Sequence, residues 1–208
     1  MRDVKRKTPF SKRLLDIILS ALILILASPL LLITAALIFL SYGAPIIFKH
    51  ERPGKDGQPF KLIKFRSMRD ARDQEGNVLP DAERITRFGQ FIRKTSIDEL
   101  PELYNVLRGD MSLVGPRPLL MQYLQRYSAE QARRHDVLPG VTGWAQINGR
   151  NAISWDDKFK YDLWYIDHWT FWLDVKIIFL TIWKVLKGDG ISQPGRATMD
   201  EFMGNSDD

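Results

Sequence analysis

The sequence predicts a helix-rich α+β protein held on one face of a membrane. Three observations predict it. A long uncharged run near the N-terminus is interrupted by Ser28-Pro29, a short strand pair flanks turn residues, and helical periodicities recur between glycine and proline breaks. At 208 residues the natural division is a membrane hairpin over 1–48 and one modest domain over 49–208.

No charged residue lies between Asp16 and Lys49. As one straight helix, Ile17 to Leu40 would reach about 36 Å, enough for a hydrocarbon core of about 30 Å. Two features favour a re-entrant helix–break–helix hairpin over that spanning helix. Pro29 has no N–H for the carbonyl of Ile25, and its ring clashes there, while Ser28 is placed to serve the freed backbone groups. Basic residues also flank both ends: Arg2, Lys5, Arg6, Lys7, Lys12 and Arg13 before the run, Lys49, Arg52, Lys55, Lys61, Lys64 and Arg66 after it. Such flanks prefer the cytoplasmic face, and a spanning helix would put one set on the wrong side. Each arm of a hairpin would enter a leaflet by about 18 Å and return. The run is too long for a secretory h-region and Pro45 spoils cleavage after Gly43-Ala44, so the segment is expected to remain in the mature protein.

Pro45 to Met68 reads as extended structure. Ile46 to Phe48 and Phe60 to Phe65 form a candidate strand pair around the turn residues Arg52-Pro53-Gly54-Lys55-Asp56-Gly57. Asp70 to Pro80 reads as a surface loop. Asp81 is placed to cap a helix through Arg93, in which Ile85, Phe88, Phe91 and Ile92 recur at helical spacing. Leu100 to Leu107 predicts a helix ended by Gly109. Leu119 to His135 predicts another, stopped by Pro139-Gly140, and Gly143 to Asn151 a polar loop. Trp164 to Leu186 carries four tryptophans but too many charges to span; core packing and an amphipathic helix at the interface both suit it. The Gly-rich, acidic tail after Gly188 is expected to be mobile.

The net charge of +5 and a pI near 9.4 call for an anionic partner. With a membrane segment attached, lipid headgroups and phosphate esters rank above nucleic acid, for which no binding signature is present. The absence of cysteine excludes disulfides, thiolate catalysis and Cys-ligated metal. His50, His135 and His168 are too scattered to read as metal ligands.

Chemistry concentrates in two stretches. Ser96-Ile97-Asp98-Glu99-Leu100-Pro101 has the Ser-x-x-Glu of a capping box, yet that register puts Pro101 inside the helix. A cap at Asp98 avoids the conflict. Either register sets Asp98 and Glu99 at a helix N-terminus, which favours anions, so capping and catalysis both stand. Gly109 to Pro118 then packs glycine and proline around Arg117, whose stiffened backbone suits a bidentate phosphate contact; Lys64 and Arg66 are candidates to converge on it.

The chain resembles the bacterial sugar transferases, small monotopic phosphoglycosyl transferases that start glycan assembly on a polyprenyl phosphate. The resemblance rests on the order and spacing of Lys12-Arg13 with Asp16, Ser28-Pro29, Arg52-Pro53-Gly54, Lys64-Phe65-Arg66-Ser67-Met68, Asp98-Glu99-Leu100, Gly109-Asp110-Met111-Ser112, Val114-Gly115-Pro116-Arg117-Pro118, Pro139-Gly140-Val141-Thr142-Gly143-Trp144 and Asn148-Gly149-Arg150-Asn151. His50 departs from the family pattern, where glutamine is expected.

The resemblance implies transfer of a phospho-sugar from a UDP-sugar to undecaprenyl phosphate at the cytoplasmic face of the bacterial inner membrane, with UMP released. It implies Asp98 as nucleophile, Glu99 as a holder of Mg²⁺, Arg117 at a phosphoryl oxygen and Arg150 as a nucleotide or sugar contact. UDP-N,N′-diacetylbacillosamine is the first candidate donor, ahead of UDP-N-acetylhexosamines. Two other readings are a non-catalytic membrane-anchored module that binds anionic lipid or partner proteins, and a hydrolase. Adjacent acids on a helix diverge by about 100°, which disfavours a glycosidase pair.

Overall fold

The computed structural model describes residues 7–149, 153–187 and 201–204. Its architecture is α+β, with helices around two small two-stranded sheets. The apolar run folds as two helices, α1 (Phe10–Leu26) and α2 (Ser28–Tyr42), bent by 62° at Ala27. Pro29 falls in the first turn of α2, where its missing N–H costs nothing. Ser28 Oγ donates to Ile25 O at 2.8 Å and so serves the carbonyl that proline cannot. Among the described residues no single helix is long and apolar enough to cross a membrane.

The first half of α1 is inverted relative to a soluble amphipathic helix. Lys12, Asp16 and Ser20, spaced four apart, are buried, while Phe10, Ile18, Ile25 and Leu26 are exposed. On α2, Leu32, Ile33 and Leu40 are also exposed.

The strand hairpin forms as its sequence predicts, with longer arms. β1 (Ile47–Pro53) pairs antiparallel with β2 (Pro59–Phe65), so Arg52-Pro53 belongs to a strand rather than to the turn. The expected surface loop follows, held by Asp73 Oδ1 accepting from the N–H groups of Glu75 and Asn77. The helix expected over Asp81 to Arg93 is two pieces, α3 (Asp81–Arg84) and α4 (Arg87–Lys94). Ile85 takes an extended backbone to bridge Met68, and Thr86, not Asp81, caps the longer piece by accepting from Gly89 N at 3.0 Å.

A 3-10 turn over Ile97–Glu99 leads into α5 (Glu102–Arg108), which ends at the left-handed Gly109. β3 (Ser112–Val114) pairs in parallel with β4 (Gly140–Thr142). Between them the single expected helix is a 3-10 turn over Met121–Gln125, the short α6 (Ala129–Ala132) and a 3-10 turn over Arg133–His135. Ser128 and Gln131 form a full capping box that restarts the chain there. The expected loop at Gly143 contains α7 (Trp144–Ile147). The Trp-rich stretch is α8 (Trp155–Asp167) followed by α9 (Phe171–Lys187).

The main core gathers Leu62, Val106, Met111, Val114, Tyr165 and Ile177 from both sheets, α5, α8 and α9. At about 1.5–3 kcal/mol for each buried large apolar side chain, this cluster anchors the segments that carry the charged groups below. Part of the tail is also docked, contrary to the expected mobility. Phe202 is buried against Tyr123, Tyr127, Trp155 and Phe159, and Arg126 donates to its carbonyl. Residues 188–200 and 205–208 lie outside the described residues.

Candidate active site

The acidic pair sits on the Ile97–Glu99 turn, not on a helix end. Ser96 adopts φ 56°, the left-handed region, and its side chain makes no capping bond, so the Ser-x-x-Glu box does not form. A non-glycine residue there costs on the order of 1–3 kcal/mol and persists because its surroundings hold it. The chain bonds Glu99 N to Ser96 O and Leu100 N to Ile97 O, and Pro101 then stands just before α5, where it interrupts nothing.

Asp98 is buried, at 8 % exposure. Burial, and then the adjacent Glu99 carboxylate, raise its pKa to about 6 against the pull of Lys64, Arg93 and Arg117. Glu99 behaves oppositely. Burial opposes its charge, but Arg117 and Lys64 hold the carboxyl well below the usual range. Lys64 Nζ lies 2.8 Å from Glu99 Oε1, and an Arg117 N–H donates to the same oxygen. Lys64 also lies 2.9 Å from Glu102 Oε1 of α5, whose pKa burial, seconded by Glu99, raises to about 7 despite Lys64.

Three devices position these groups. Asn105 of α5 accepts from Ile63 N and donates to Lys61 O, which pins β2 and so the base of Lys64. Close backbone crossing places Arg117: a Cβ on Gly140 would lie 2.1 Å from Gly115 N, and one on Gly143 would lie 2.2 Å from Gly115 O, so glycine is required at both. Arg134 then donates to Arg117 O at 2.8 Å while its buried guanidinium pairs with Asp162 at 2.7 Å.

Of these groups Glu99, Arg117 and Arg134 line a cavity of about 390 Å³, whereas Asp98, Lys64 and Glu102 are not among its lining residues. Arg93, Ser96, Glu99, Arg117, Arg134 and Lys158 make it polar on one side. Leu19 and Ile23 of α1 and Ile178, Ile182 and Val185 of α9 make it apolar on the other. The cavity can hold an anionic group beside its arginines and an aliphatic chain along the helices, with Asp98 next in sequence to the lining Glu99.

A family model described as bacterial sugar transferase matches residues 7–188. The chain belongs to the bacterial sugar transferase family. It is 56 % identical over 196 residues to a protein of Bacillus subtilis named uncharacterized sugar transferase EpsL, covering 94 % of this chain and 97 % of that one. It is 42 % identical over 208 residues to an undecaprenyl-phosphate galactose phosphotransferase of Salmonella typhimurium, covering 89 % of this chain and 42 % of that one. A UDP-glucose:undecaprenyl-phosphate glucose-1-phosphate transferase of Escherichia coli is 43 % identical over 183 residues, covering 83 % of this chain and 39 % of that one. The chain therefore spans about two-fifths of the length of these two larger relatives.

Of the site residues read from sequence in this family member, Asp98, Glu99, Arg117 and Lys64 are brought together. Arg66 is not brought to them. It donates to Met68 O, Tyr42 O and Ala44 O and lies over the Tyr42 ring, fastening the exit of α2. Arg150 lies outside the described residues. Sequence reasoning missed Arg93, Glu102, Asn105 and the Arg134–Asp162 pair. Their only sequence signal is a charged or polar side chain on a helical pattern, which reads as a solvated face.

Proposed function

We propose that the chain is a phosphoglycosyl transferase that moves a sugar 1-phosphate from a UDP-sugar to undecaprenyl phosphate. The observation that carries this is Asp98: a buried carboxyl raised to about 6 is ionised at neutral pH, and cations surround it where phosphoryl oxygens would lie. The names of the Salmonella and Escherichia coli relatives, both undecaprenyl-phosphate sugar transferases, support the reaction class.

In the proposed sequence an Asp98 carboxylate oxygen attacks the donor β-phosphorus, and the bond to the α-phosphate oxygen breaks. UMP departs and a phosphosugar–Asp98 ester remains. An oxygen of undecaprenyl phosphate attacks that phosphorus, which restores the Asp98 carboxylate and gives undecaprenyl-diphosphate-sugar. Arg117 and Lys64 supply fixed positive charge to the transferring group. The site also fits Mg²⁺. Both cations converge on Glu99 Oε1, and among the described residues no donor is placed on Oε2. Among the described residues no group of three acidic or histidine ligands forms, so an ion here would take one carboxylate and draw its other oxygens from phosphate and water. When bound, Mg²⁺ would neutralise diphosphate charge.

The reading includes a monotopic attachment at the cytoplasmic face. In its support, α1 turns its polar stripe inward and its apolar side outward, and α9 exposes Trp172, Phe179 and Trp183. A re-entrant α1–α2 hairpin would then hold the site at headgroup depth, where a lipid phosphate and a cytosolic nucleotide meet.

The test is UMP release by detergent-purified protein given Mg²⁺, undecaprenyl phosphate and a panel of UDP-N,N′-diacetylbacillosamine, UDP-N-acetylhexosamines, UDP-galactose and UDP-glucose. Turnover is expected with one donor, and Asp98→Asn should lower it at least about a thousandfold. Free sugar phosphate without lipid product would indicate a hydrolase. No turnover with any donor would indicate the binding module.

A further inference from the structure

Arg52 is the cation that the site described so far does not use. In the β1–β2 register Phe48 faces Lys64, His50 faces Leu62 and Arg52 faces Phe60. Directly opposed residues share a face, so Arg52 and Lys64 leave the hairpin on the same side, the side on which Leu62 is buried. The turn after Arg52 is rigid. Gly54 N bonds Gln58 O at 2.7 Å, Gly54 O meets His135 Nδ1 at 3.1 Å, and a Cβ at Gly54 would crowd Gln58 O at 3.1 Å.

Among the described residues Arg52 forms no ion pair and no side-chain hydrogen bond, and its Nε is buried without a partner. Its neighbours make this costly. Burial, and then the nearby Arg117, work against its charge and lower its pKa, while Tyr123 and Glu102 oppose them without reversing the direction. Arg117 already gives its own charge to Glu99. A partly buried guanidinium near a second one, with no carboxylate in hydrogen-bond contact among the described residues, is an arrangement that an anion completes.

We propose that Arg52 is a phosphoryl-anion contact, binding a phosphate group together with Arg117. Its ligand's identity rests on the transferase reading, which offers two sources of the same chemistry: the diphosphate of the nucleotide donor and the phosphate of the polyprenyl carrier.

The experiment compares wild type, Arg52→Gln and Arg52→Lys as full-length protein in detergent. Binding of inorganic pyrophosphate, UMP and undecaprenyl phosphate is measured by calorimetry, with thermal unfolding alongside. A charge-assisted bond of about 1.5–3 kcal/mol predicts about 10- to 100-fold weaker binding of the cognate phosphate in Arg52→Gln, with part retained in Arg52→Lys. Loss for pyrophosphate and UMP assigns the nucleotide, and loss for undecaprenyl phosphate alone assigns the carrier. Without ligand, Arg52→Gln should melt no lower than wild type, because an uncompensated charge is removed. Unchanged affinity for all three probes, or a lower melting point without ligand, overturns the proposal. Pyrophosphate binding requires no turnover, so an inactive wild type would sink the transferase reading while leaving this site standing.

Discussion

At the residue scale, Asp98 combines reactivity with a stability cost. Its pKa rises from 3.8 to about 6 on folding, so between those values the folded state holds more protons than the unfolded one, and stability falls as pH rises through that window. Asp98→Asn cannot ionise and escapes the cost. It should exceed wild type by up to about 3 kcal/mol in denaturant unfolding at pH 7, with the gap closing below about pH 4. The same group should shape the rate: kcat/KM of wild type is expected to be level above about pH 6 and to fall about tenfold per unit below it. A variant that is inactive and also less stable at neutral pH would remove Asp98 from this role. In sequence the pair reads both as a helix cap and as a site, and only the resemblance to the family singles it out. The opposite pKa shifts of the two carboxyls were not legible there, since Lys64 and Arg117 come from distant segments and choose Glu99 over Asp98.

At the element scale, the α1–α2 break is a local device. Pro29 removes one bond, Ser28 Oγ replaces its acceptor's partner at Ile25, and the bend is 62°. The paired change Ser28→Ala with Pro29→Leu is therefore expected to straighten the segment and let it span. The chain has no native cysteine, so one introduced beside Lys7 reports the side of the membrane. Labelling should switch sides in the variant; continued labelling from the cytoplasmic side would show that something other than the kink sets topology. Other elements were less legible. The Asp81–Arg93 periodicity is real, but Ile85 is drawn into a bridge with Met68, a non-local partner that no window shows. β3 and β4 are each three residues long, too short for alternation to register. Phe202 is one aromatic in a Gly-rich tail, and only the assembled Tyr123–Tyr127–Trp155–Phe159 pocket reveals its place.

At the scale of the whole molecule, a buried polar knot joins α1 to α9 and β3. Lys12 Nζ of α1 reaches Asp174 Oδ2 of α9 at 2.7 Å and Val114 O of β3 at 2.8 Å. Tyr165 and Trp169 donate to Asp174 as well, and Asp16 accepts from Ser112 Oγ and Leu113 N. The segment that leads to Arg117 is thus tied to the same helix that carries the apolar outer face. Removing one member leaves a buried charge unpaired. Lys12→Met should cost about 3–5 kcal/mol in unfolding measurements, and adding Asp174→Leu should recover much of it. A double variant whose loss equals the sum of the Lys12→Met and Asp174→Leu losses would show that the pair is not coupled.

The sequence alone determined the broken apolar helix, the strand hairpin, the acidic pair and the family, because each depends on neighbours along the chain or on an ordered set of motifs. Only the tertiary structure decided which cations meet which carboxylate, that Arg66 turns away to the exit of α2, and that α1 buries its polar stripe. Those outcomes depend on β-register, backbone crossings at glycine and burial, which arise only when segments separated along the chain, as far as Lys12 is from Val114, come into contact.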